Sequence, residues 1–366
     1  MEKTKKDIIQ EKIKEDIIKN NFKGIILASV RTGKTRILLN SIKEHSKNHI
    51  ENPKILVLYP NIDIKTSWEK ECDLINYRPN ITYCTFVSIE KVKDLTFAYI
   101  CVDEAHLLAE NQLKTLAYIN KKHKHCILAS GTYSDATLES LRFFTGLNLI
   151  VNYSTEQAIK DGIVSNFSIK IHTYNIDNTI IKEIGKSKKW KSTEYKELKR
   201  LSNKILNSKS PKEKMYNSLN RMRFINSCDS LINCVNNWIK NNINERFLLF
   251  TGDENVGKRY NLPMYNSKSK TNEILTDFQN QRINQLCLIR KGSAGVSYSN
   301  LKTILLTAIN SNGENLEQQI GRSLLNDTDD AIIHIFVSSE EFQLKWLNSA
   351  LENINKNKIE WIKNLN

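Results

Sequence analysis

The sequence lacks any apolar run that approaches the ~20 residues of a membrane-spanning helix. It also lacks internal repeats and any collagen-like or Gly/Ser-rich tract. Its first residues, 1–7, are mostly charged and lead into an amphipathic pattern, so we expect no signal peptide. These absences argue against membrane, secreted and fibrous proteins, and they predict a globular, cytoplasmic protein with no membrane partner.

Paired cysteines are also missing. The chain has seven cysteines, but no two of them form a Cys-x-x-Cys pair, and several lie inside apolar runs. Zinc sites need more closely spaced ligands than this. We therefore expect the cysteines to be reduced and buried, as in an intracellular protein.

The chain carries an excess of positive charge. Its 366 residues are enough for two domains, and its formal net charge is +14. Such a balance indicates a polyanionic partner, most simply nucleic acid. A Lys/Asn/Ile-rich composition, typical of an AT-rich phage, viral or bacterial genome, is the alternative explanation.

A phosphate-binding loop is recognisable near the N-terminus. Residues 28–35 read Ala-Ser-Val-Arg-Thr-Gly-Lys-Thr, between an apolar run at 25–27 and a helical pattern from Arg36. A strand, loop and helix in this order are the context that the motif requires. Lys34 is then expected to reach the β- and γ-phosphates, and the Thr35 hydroxyl to bind Mg²⁺.

Two carboxylates, Asp103 and Glu104, follow a second apolar run, residues 99–102. At the end of a buried strand, one acid can hold a metal ion while the next activates a water molecule. Nucleotide hydrolysis needs both this pair and the phosphate loop. The two motifs together predict an ATP-hydrolysing enzyme with ATP and Mg²⁺ as cofactors.

Apolar runs without alternation recur along the chain and are separated by helical or loop stretches. This pattern is typical of buried parallel strands and predicts an α/β fold with doubly wound sheets. We divide the chain into a first α/β domain (1–152), a connector with a basic helical insert (153–240) and a second α/β domain (241–366). The pattern of the tail predicts a helix over 340–366.

The strongest basic segment is 186–214, with eleven Lys/Arg against three Glu. Lysine can neutralise phosphates and an interleaved aromatic ring can stack on a base, so the segment is a candidate nucleic-acid contact. The alternative is a solvated helical insert. The candidate contact residues are Lys188, Lys189, Trp190 and Lys191.

In order and spacing, these motifs resemble those of superfamily 2 helicases of the DEAD/DEAH type. The resemblance runs from about Gln10 to Val337. It implies two tandem RecA-like doubly wound parallel-sheet domains, here with a basic helical insert, and one ATP site in the cleft between them. It also implies that Asp103 organises Mg²⁺ and that Glu104 is the general base.

The resemblance assigns further residues in the first domain. Gln10 would read the adenine base, and Arg31, Thr32 and Gly33 would complete the phosphate loop, although many relatives have Gly where this chain has Arg31. Hydrolysis would be coupled to interdomain motion by His106, Ser130 and Thr132. Two segments, Tyr59-Pro60 followed by Trp68 and the one beginning at Thr85, resemble grips on a nucleic-acid backbone.

In the second domain, residues 318–322 resemble the last motif of the family, which makes Gln318 and Arg322 candidate catalytic residues, with Arg322 as an arginine finger. Gly295 resembles the glycine of the preceding motif. Two features depart from the pattern: Leu325 replaces a second arginine, and residues 294–297 carry no acid.

We therefore expect a monomeric, ATP-dependent helicase or translocase that moves along or unwinds DNA or RNA, with DNA favoured over RNA. The two departures favour a second interpretation, a nucleotide-gated nucleic-acid clamp with weak turnover. A phage packaging-type ATPase is a third interpretation. Such a motor carries a carboxylate-rich nuclease domain. The second half of this sequence contains no obvious cluster of carboxylates of that kind.

Overall fold

The computed structural model describes most of the chain and divides it into two compact units. Residues 3–165 form the body of the first unit, and residues from 166 onward form the body of the second. The described residues are 3–29, 31–47, 52–60, 62–184, 190–266, 269, 271, 273–289, 300–308, 316, 320, 321, 330–352 and 354–362.

The first unit is built on a parallel sheet of six strands in the order β3-β2-β4-β5-β1-β6. The strands are β1 (Lys23–Ala28), β2 (Lys54–Tyr59), β3 (Asn80–Thr85), β4 (Tyr99–Asp103), β5 (Cys126–Ser130) and β6 (Leu149–Tyr153). Its described α-helices are α1 (Lys5–Lys19), α2 (Lys34–Ser46), α3 (Ile62–Leu74), α4 (Glu110–Lys122), α5 (Asp135–Thr145) and α6 (Thr155–Lys160).

The central strands of this sheet are buried along their whole length, which explains their unbroken apolar sequences. Leu56, Ile100 and Leu128, from neighbouring strands, share a core with Leu116 of α4. The runs that predicted β1 to β5 are confirmed as strands. The sheet gains a sixth strand, β6, from the segment that crosses the expected domain boundary after residue 152.

The second unit contains a parallel sheet of seven strands in the order β11-β12-β10-β13-β14-β7-β15. These strands are β7 (Phe167–Tyr174), β10 (Phe247–Thr251), β11 (Met264–Tyr265), β12 (Gln285–Ile289), β13 (Thr303–Leu306), β14 (Ala331–Ser338) and β15 (Ile359–Ile362). The described helices associated with them are α9 (Asp229–Asn241), α10 (Glu254–Lys258), α11 (Glu273–Gln279) and α12 (Glu341–Ala350).

Two segments differ from the sequence expectation. The prediction of a helix over 340–366 is confirmed for Glu341–Ala350 but wrong for Ile359–Ile362, which form β15 and pair with β7. Ile359, Trp361 and Ile362 are β-branched or aromatic and suit a pleated strand better than a helix. β7 itself comes from the segment expected to be a connector, and it joins the second sheet between β14 and β15.

The basic insert forms a small module. Strands β8 (Lys182–Ile184) and β9 (Trp190–Ser192) pair antiparallel and lead into two packed helices, α7 (Glu194–Leu206) and α8 (Pro211–Ile225). The buried Glu194 carboxylate accepts hydrogen bonds from the backbone N–H groups of Asp229 and Ser230, at the start of α9, and from Lys182. A carboxylate at a helix N-terminus is favourable, so one of the three acids of the segment anchors the insert to the second unit.

A pair of buried histidines lies in the second sheet. His172 Nε2 and His334 Nδ1 are 2.8 Å apart, so one ring donates and the other accepts. The ring of Trp238 packs against His334, and Phe336 stacks on His172. Burial and the positive charge of Lys170 lower the pKa of His172 to about 4. Burial, His172 and Lys170 lower the pKa of His334 to about 3.

We expect this pair to make the stability of the protein depend on pH. The unfolded imidazoles keep a pKa near 6.5 and bind protons that the folded pair excludes. Stability is therefore complete above about pH 6.5 and falls as the pH approaches 4, by up to about 1.4 kcal/mol per pH unit for each histidine. Urea unfolding from about pH 7.5 to pH 5 measures this slope. His172→Gln should reduce the slope, and an unchanged slope in this variant would contradict the prediction.

None of the helices in the described ranges combines the length and apolar character needed to cross a bilayer. All seven cysteines are free, and all but the half-buried Cys234 are buried, as the sequence predicted.

Candidate nucleotide-binding site

Sheet topology brings the two nucleotide motifs of the first unit together. β5 lies between β1 and β4, with Leu27 opposite Ser130 and Asp103 opposite Ala129. The strands are parallel, so the segments that follow all three leave the same edge of the sheet. Ligands of doubly wound sheets bind at this edge.

The phosphate loop leads directly into α2. Gly33 has φ +83° and precedes the first helical residue, Lys34. A Cβ atom on Gly33 would lie only 2.4 Å from Gln10 Nε2. That amide donates to the Thr32 carbonyl at 2.7 Å, and the Thr32 hydroxyl donates to the Ser29 carbonyl at 2.7 Å. Gln10 is therefore packed against the loop, and the left-handed backbone at position 33 favours glycine there.

Arg31 also has a left-handed backbone, with φ +70°. Glycine adopts this conformation without strain, whereas other residues rarely do so. The position at which many superfamily 2 helicases carry Gly thus keeps a glycine-like backbone in this chain. The Arg31 side chain also adds a positive charge that is felt by Lys6. Burial lowers the pKa of Lys6, and the charges of Arg36 and Arg31 lower it further.

The two motifs meet through Lys34 and Glu104. Lys34 Nζ is 3.8 Å from Glu104 Oε1, and the side chains are largely buried, with 12% and 24% of their surfaces exposed. Thr35, the next residue of α2, is half-buried. A cation and a carboxylate at this distance form an ion pair. An incoming phosphate can replace Glu104 as the partner of Lys34.

Asp103 is 5% exposed and both of its carboxylate oxygens accept hydrogen bonds. The Trp68 indole Nε1 donates to Oδ2 at 2.9 Å, and the Glu104 backbone N–H donates to Oδ1 at 3.0 Å. Burial and the neighbouring charge of Glu104 together raise the pKa of Asp103 to about 6, although Lys34 and the two hydrogen bonds oppose the rise.

These residues fit a magnesium ion. Mg²⁺ prefers hard oxygen ligands and usually keeps several waters beside one or two carboxylates and substrate phosphates. Asp103 supplies a buried carboxylate at the end of β4, and Thr35 supplies a hydroxyl on α2, the helix that follows β1. The raised pKa of Asp103 indicates that a positive charge beside its carboxylate would be favourable.

Beyond Glu104, a network of hydrogen bonds connects the carboxylate to the end of β5. Ser130 Oγ is 3.5 Å from Glu104 Oε2 and 2.7 Å from His106 Nδ1. The Ser130 hydroxyl also donates to the Thr132 carbonyl at 2.8 Å and accepts from the Thr132 N–H at 3.2 Å. A hydroxyl has one proton, so Ser130 can donate to only one of Thr132, Glu104 and His106 at a time. The structure thus brings His106, Ser130 and Thr132 into one network.

The predicted nucleic-acid contacts fall into two groups. Pro60 and Thr85 lie at the carboxyl ends of the neighbouring strands β2 and β3, where Tyr59 is opposite Thr85. Trp190 and Lys191 lie on β9 of the insert, with Arg200 stacked on the Trp190 ring. Lys188 and Lys189 lie outside the described residues, as do Gly295, Gln318 and Arg322 of the second-domain motifs.

The contact between Trp68 and Asp103 was not predicted from the sequence, which grouped Trp68 with the nucleic-acid grip. The contact could have been inferred from the position of Trp68 in the chain. β2 precedes α3 in the chain and pairs with β4, so a large side chain on the inner face of α3 lies near the end of β4.

Neither a protein-family model nor a curated protein sequence matches this chain, but solved structures do. Mss116p bound to ssRNA and AMP-PNP is 16% identical, with a TM-score of 0.58, over 93% of this chain and 71% of that chain. S. cerevisiae Dbp5 bound to RNA and ADP BeF3 is 11% identical, with a TM-score of 0.60, over 97% and 89%.

The ATP-dependent Type ISP restriction-modification enzyme LlaBIII, bound to DNA, is 13% identical, with a TM-score of 0.62. The match covers 97% of this chain and 31% of that enzyme. At these identities the similarity defines the fold alone. The chain therefore shares the fold of these proteins, with two RecA-like α/β units.

Proposed function

We propose that this protein is an ATP-dependent nucleic-acid helicase or translocase. The observation that carries the proposal is the 3.8 Å approach of Lys34 to Glu104, with Asp103 buried beside them. The residues proposed as phosphate-binding cation, metal-binding carboxylate and general base thus lie together at one edge of the first sheet. The fold adds support, because the structural neighbours include proteins bound to nucleotide analogues and to RNA or DNA.

In the proposed reaction, Lys34 leaves Glu104 and binds the terminal phosphates of ATP. Asp103 and Thr35 would hold Mg²⁺, which would supply positive charge beside the phosphates. Glu104, freed from Lys34, accepts a proton from the attacking water. We propose Arg322 as the arginine finger that stabilises charge on the γ-phosphate, with Gln318 beside it, and Gln10 as the contact to the base.

The network of His106, Ser130 and Thr132 is the proposed link between the γ-phosphate and movement. Any shift of Glu104 changes its 3.5 Å contact with Ser130, which also bonds His106 and the Thr132 backbone. The Thr132 hydroxyl oxygen is buried and has no hydrogen-bond partner among the described residues. It is therefore available to bond a group that arrives during the cycle.

For nucleic acid, we propose a backbone contact at Pro60 and Thr85 and a second contact on the insert. The insert carries Lys188, Lys189, Trp190 and Lys191, and its α8 exposes Tyr216 and Met215, each with 61% of its surface accessible. Arg200 covers one face of the Trp190 ring, so Tyr216 is the more accessible ring for stacking on a base.

Steady-state ATPase measurements with and without single-stranded DNA, single-stranded RNA and duplex test this proposal. We expect Mg²⁺-dependent hydrolysis that one polymer stimulates strongly, which identifies the track; the proposal favours DNA. Tight polymer binding with negligible turnover under every condition would instead support the nucleotide-gated clamp. The absence of both nucleotide and polymer binding would refute both functions.

We expect three exposed lysines of the α7–α8 pair to contribute to polymer affinity through phosphate contacts. Each phosphate contact on a single strand contributes about 0.7 to the slope of log affinity against log salt. Replacing all three lysines by Gln should therefore weaken binding and flatten the slope by about 2. The substitutions are Lys204→Gln, Lys212→Gln and Lys214→Gln.

The matched control replaces three exposed lysines whose partners are exposed acids on the same helix. It should bind with the wild-type slope. If the α7–α8 variant also keeps that slope, the insert is a solvated helical module and does not contact the polymer. The control substitutions are Lys114→Gln, Lys258→Gln and Lys345→Gln.

A further inference from the structure

The indole of Trp68 is fully buried and is directed at the metal-binding carboxylate. α3 places this ring in the core of the first unit, where none of its surface is exposed. Its Nε1–H donates to Asp103 Oδ2 at 2.9 Å, while the Glu104 backbone N–H holds Oδ1 at 3.0 Å. The carboxylate is therefore fixed at both oxygens and cannot rotate without breaking a hydrogen bond in a buried site.

This contact has a consequence for a cation. A carboxylate has about four acceptor sites, so two donors leave about two of them for metal or water. A buried tryptophan N–H needs an acceptor, and a backbone carbonyl would serve the fold equally well. In this chain the acceptor is the side chain that the proposed function assigns to Mg²⁺.

We propose that Trp68 is a positioning residue for the magnesium ion, acting through its hydrogen bond to Asp103. This inference rests on the proposed function. Partners that orient metal ligands usually contribute about 10- to 100-fold to metal affinity or activity. α3 begins at Ile62, close after Pro60, so the same helix connects the proposed backbone contact with the Asp103 carboxylate.

The test is Trp68→Phe, which keeps a large apolar ring and removes the N–H. Electron paramagnetic resonance measures the affinity of the protein–ADP complex for Mn²⁺, a spectroscopic substitute for Mg²⁺, without any need for turnover. We expect the variant to bind Mn²⁺ about 10-fold more weakly than wild type. Its ADP affinity in EDTA should be unchanged.

Trp238→Phe, at a buried tryptophan of the second unit, is the matched control and should retain wild-type Mn²⁺ affinity. If Trp68→Phe binds Mn²⁺ within about two-fold of wild type, the positioning role is refuted while the proposed function stands. If the wild-type protein binds no Mn²⁺ in the presence of ADP, the proposed function itself fails, and the inference fails with it.

A second measurement needs no variant at position 68. The chain has five tryptophans, so a 5-fluorotryptophan-labelled protein gives few fluorine resonances. Phenylalanine substitutions at the other four positions assign the Trp68 signal by elimination. We expect Mg²⁺ with ADP to shift this signal and Mn²⁺ with ADP to broaden it. A Trp68 signal that responds to neither ion overturns the inference.

Discussion

Lys34→Ala should reduce ATP hydrolysis by at least about 1,000-fold, because it removes the cation that faces the γ-phosphate as charge develops there. The loss should be severe in this site because Asp103 and Glu104 lie beside the lysine. Without the ammonium group, two carboxylates confront the phosphates, so nucleotide affinity should fall as well. Steady-state ATPase assays and equilibrium binding of a fluorescent nucleotide measure the two effects.

The control for this variant is Lys121→Ala, at an exposed lysine of α4, which should hydrolyse ATP at the wild-type rate. A Lys34→Ala protein that is folded and retains undiminished turnover would remove the assignment of the nucleotide site. A loss of turnover with unchanged nucleotide affinity would retain the site and limit the role of Lys34 to the transition state.

Glu104→Gln should separate binding from hydrolysis. Glutamine keeps the size of the side chain but cannot accept the proton of the attacking water, and loss of a general base typically costs about 10²- to 10⁴-fold in rate. Nucleotide affinity should be retained or increased, because the substitution removes a negative charge 3.8 Å from Lys34. Single-turnover hydrolysis and nucleotide binding, measured on the same preparation, give both values.

Glu110→Gln provides the comparison, since Glu110 is a highly exposed acid that pairs with Lys114 on α4. It should match wild type in both assays. Near-wild-type hydrolysis by Glu104→Gln would assign the proton transfer to another group and leave Glu104 only as the ion-pair partner of Lys34.

The sequence predicted the centre of each sheet better than its edges. Central strands such as β4 are buried on both faces and read as unbroken apolar runs, so they were visible without tertiary information. β15 has the partly exposed pattern of an edge strand, and its pairing with β7 joins residues far apart in the chain. A local pattern cannot report such a partner, so the tail was assigned to a helix.

The same reasoning applies to the candidate site. The phosphate loop and the acidic pair are short, contiguous motifs, and their meeting follows from strand order alone. The hydrogen bond from Trp68 to Asp103 depends on where a side chain of α3 points after the helix has packed. The glycine-like backbone of Arg31 is likewise a property of the folded loop. Neither feature can be predicted from the types of the neighbouring residues in the sequence.

The strand order of the two sheets has a consequence for protein synthesis. The strands of the first sheet all come from residues 23–153, so this sheet can assemble while the ribosome is still making the second unit. β7 emerges next, but its two neighbours, β14 and β15, begin only at Ala331 and Ile359. Until then the nascent chain carries an apolar strand with unpaired edges, the kind of segment that chaperones shield and that aggregates when elongation stalls.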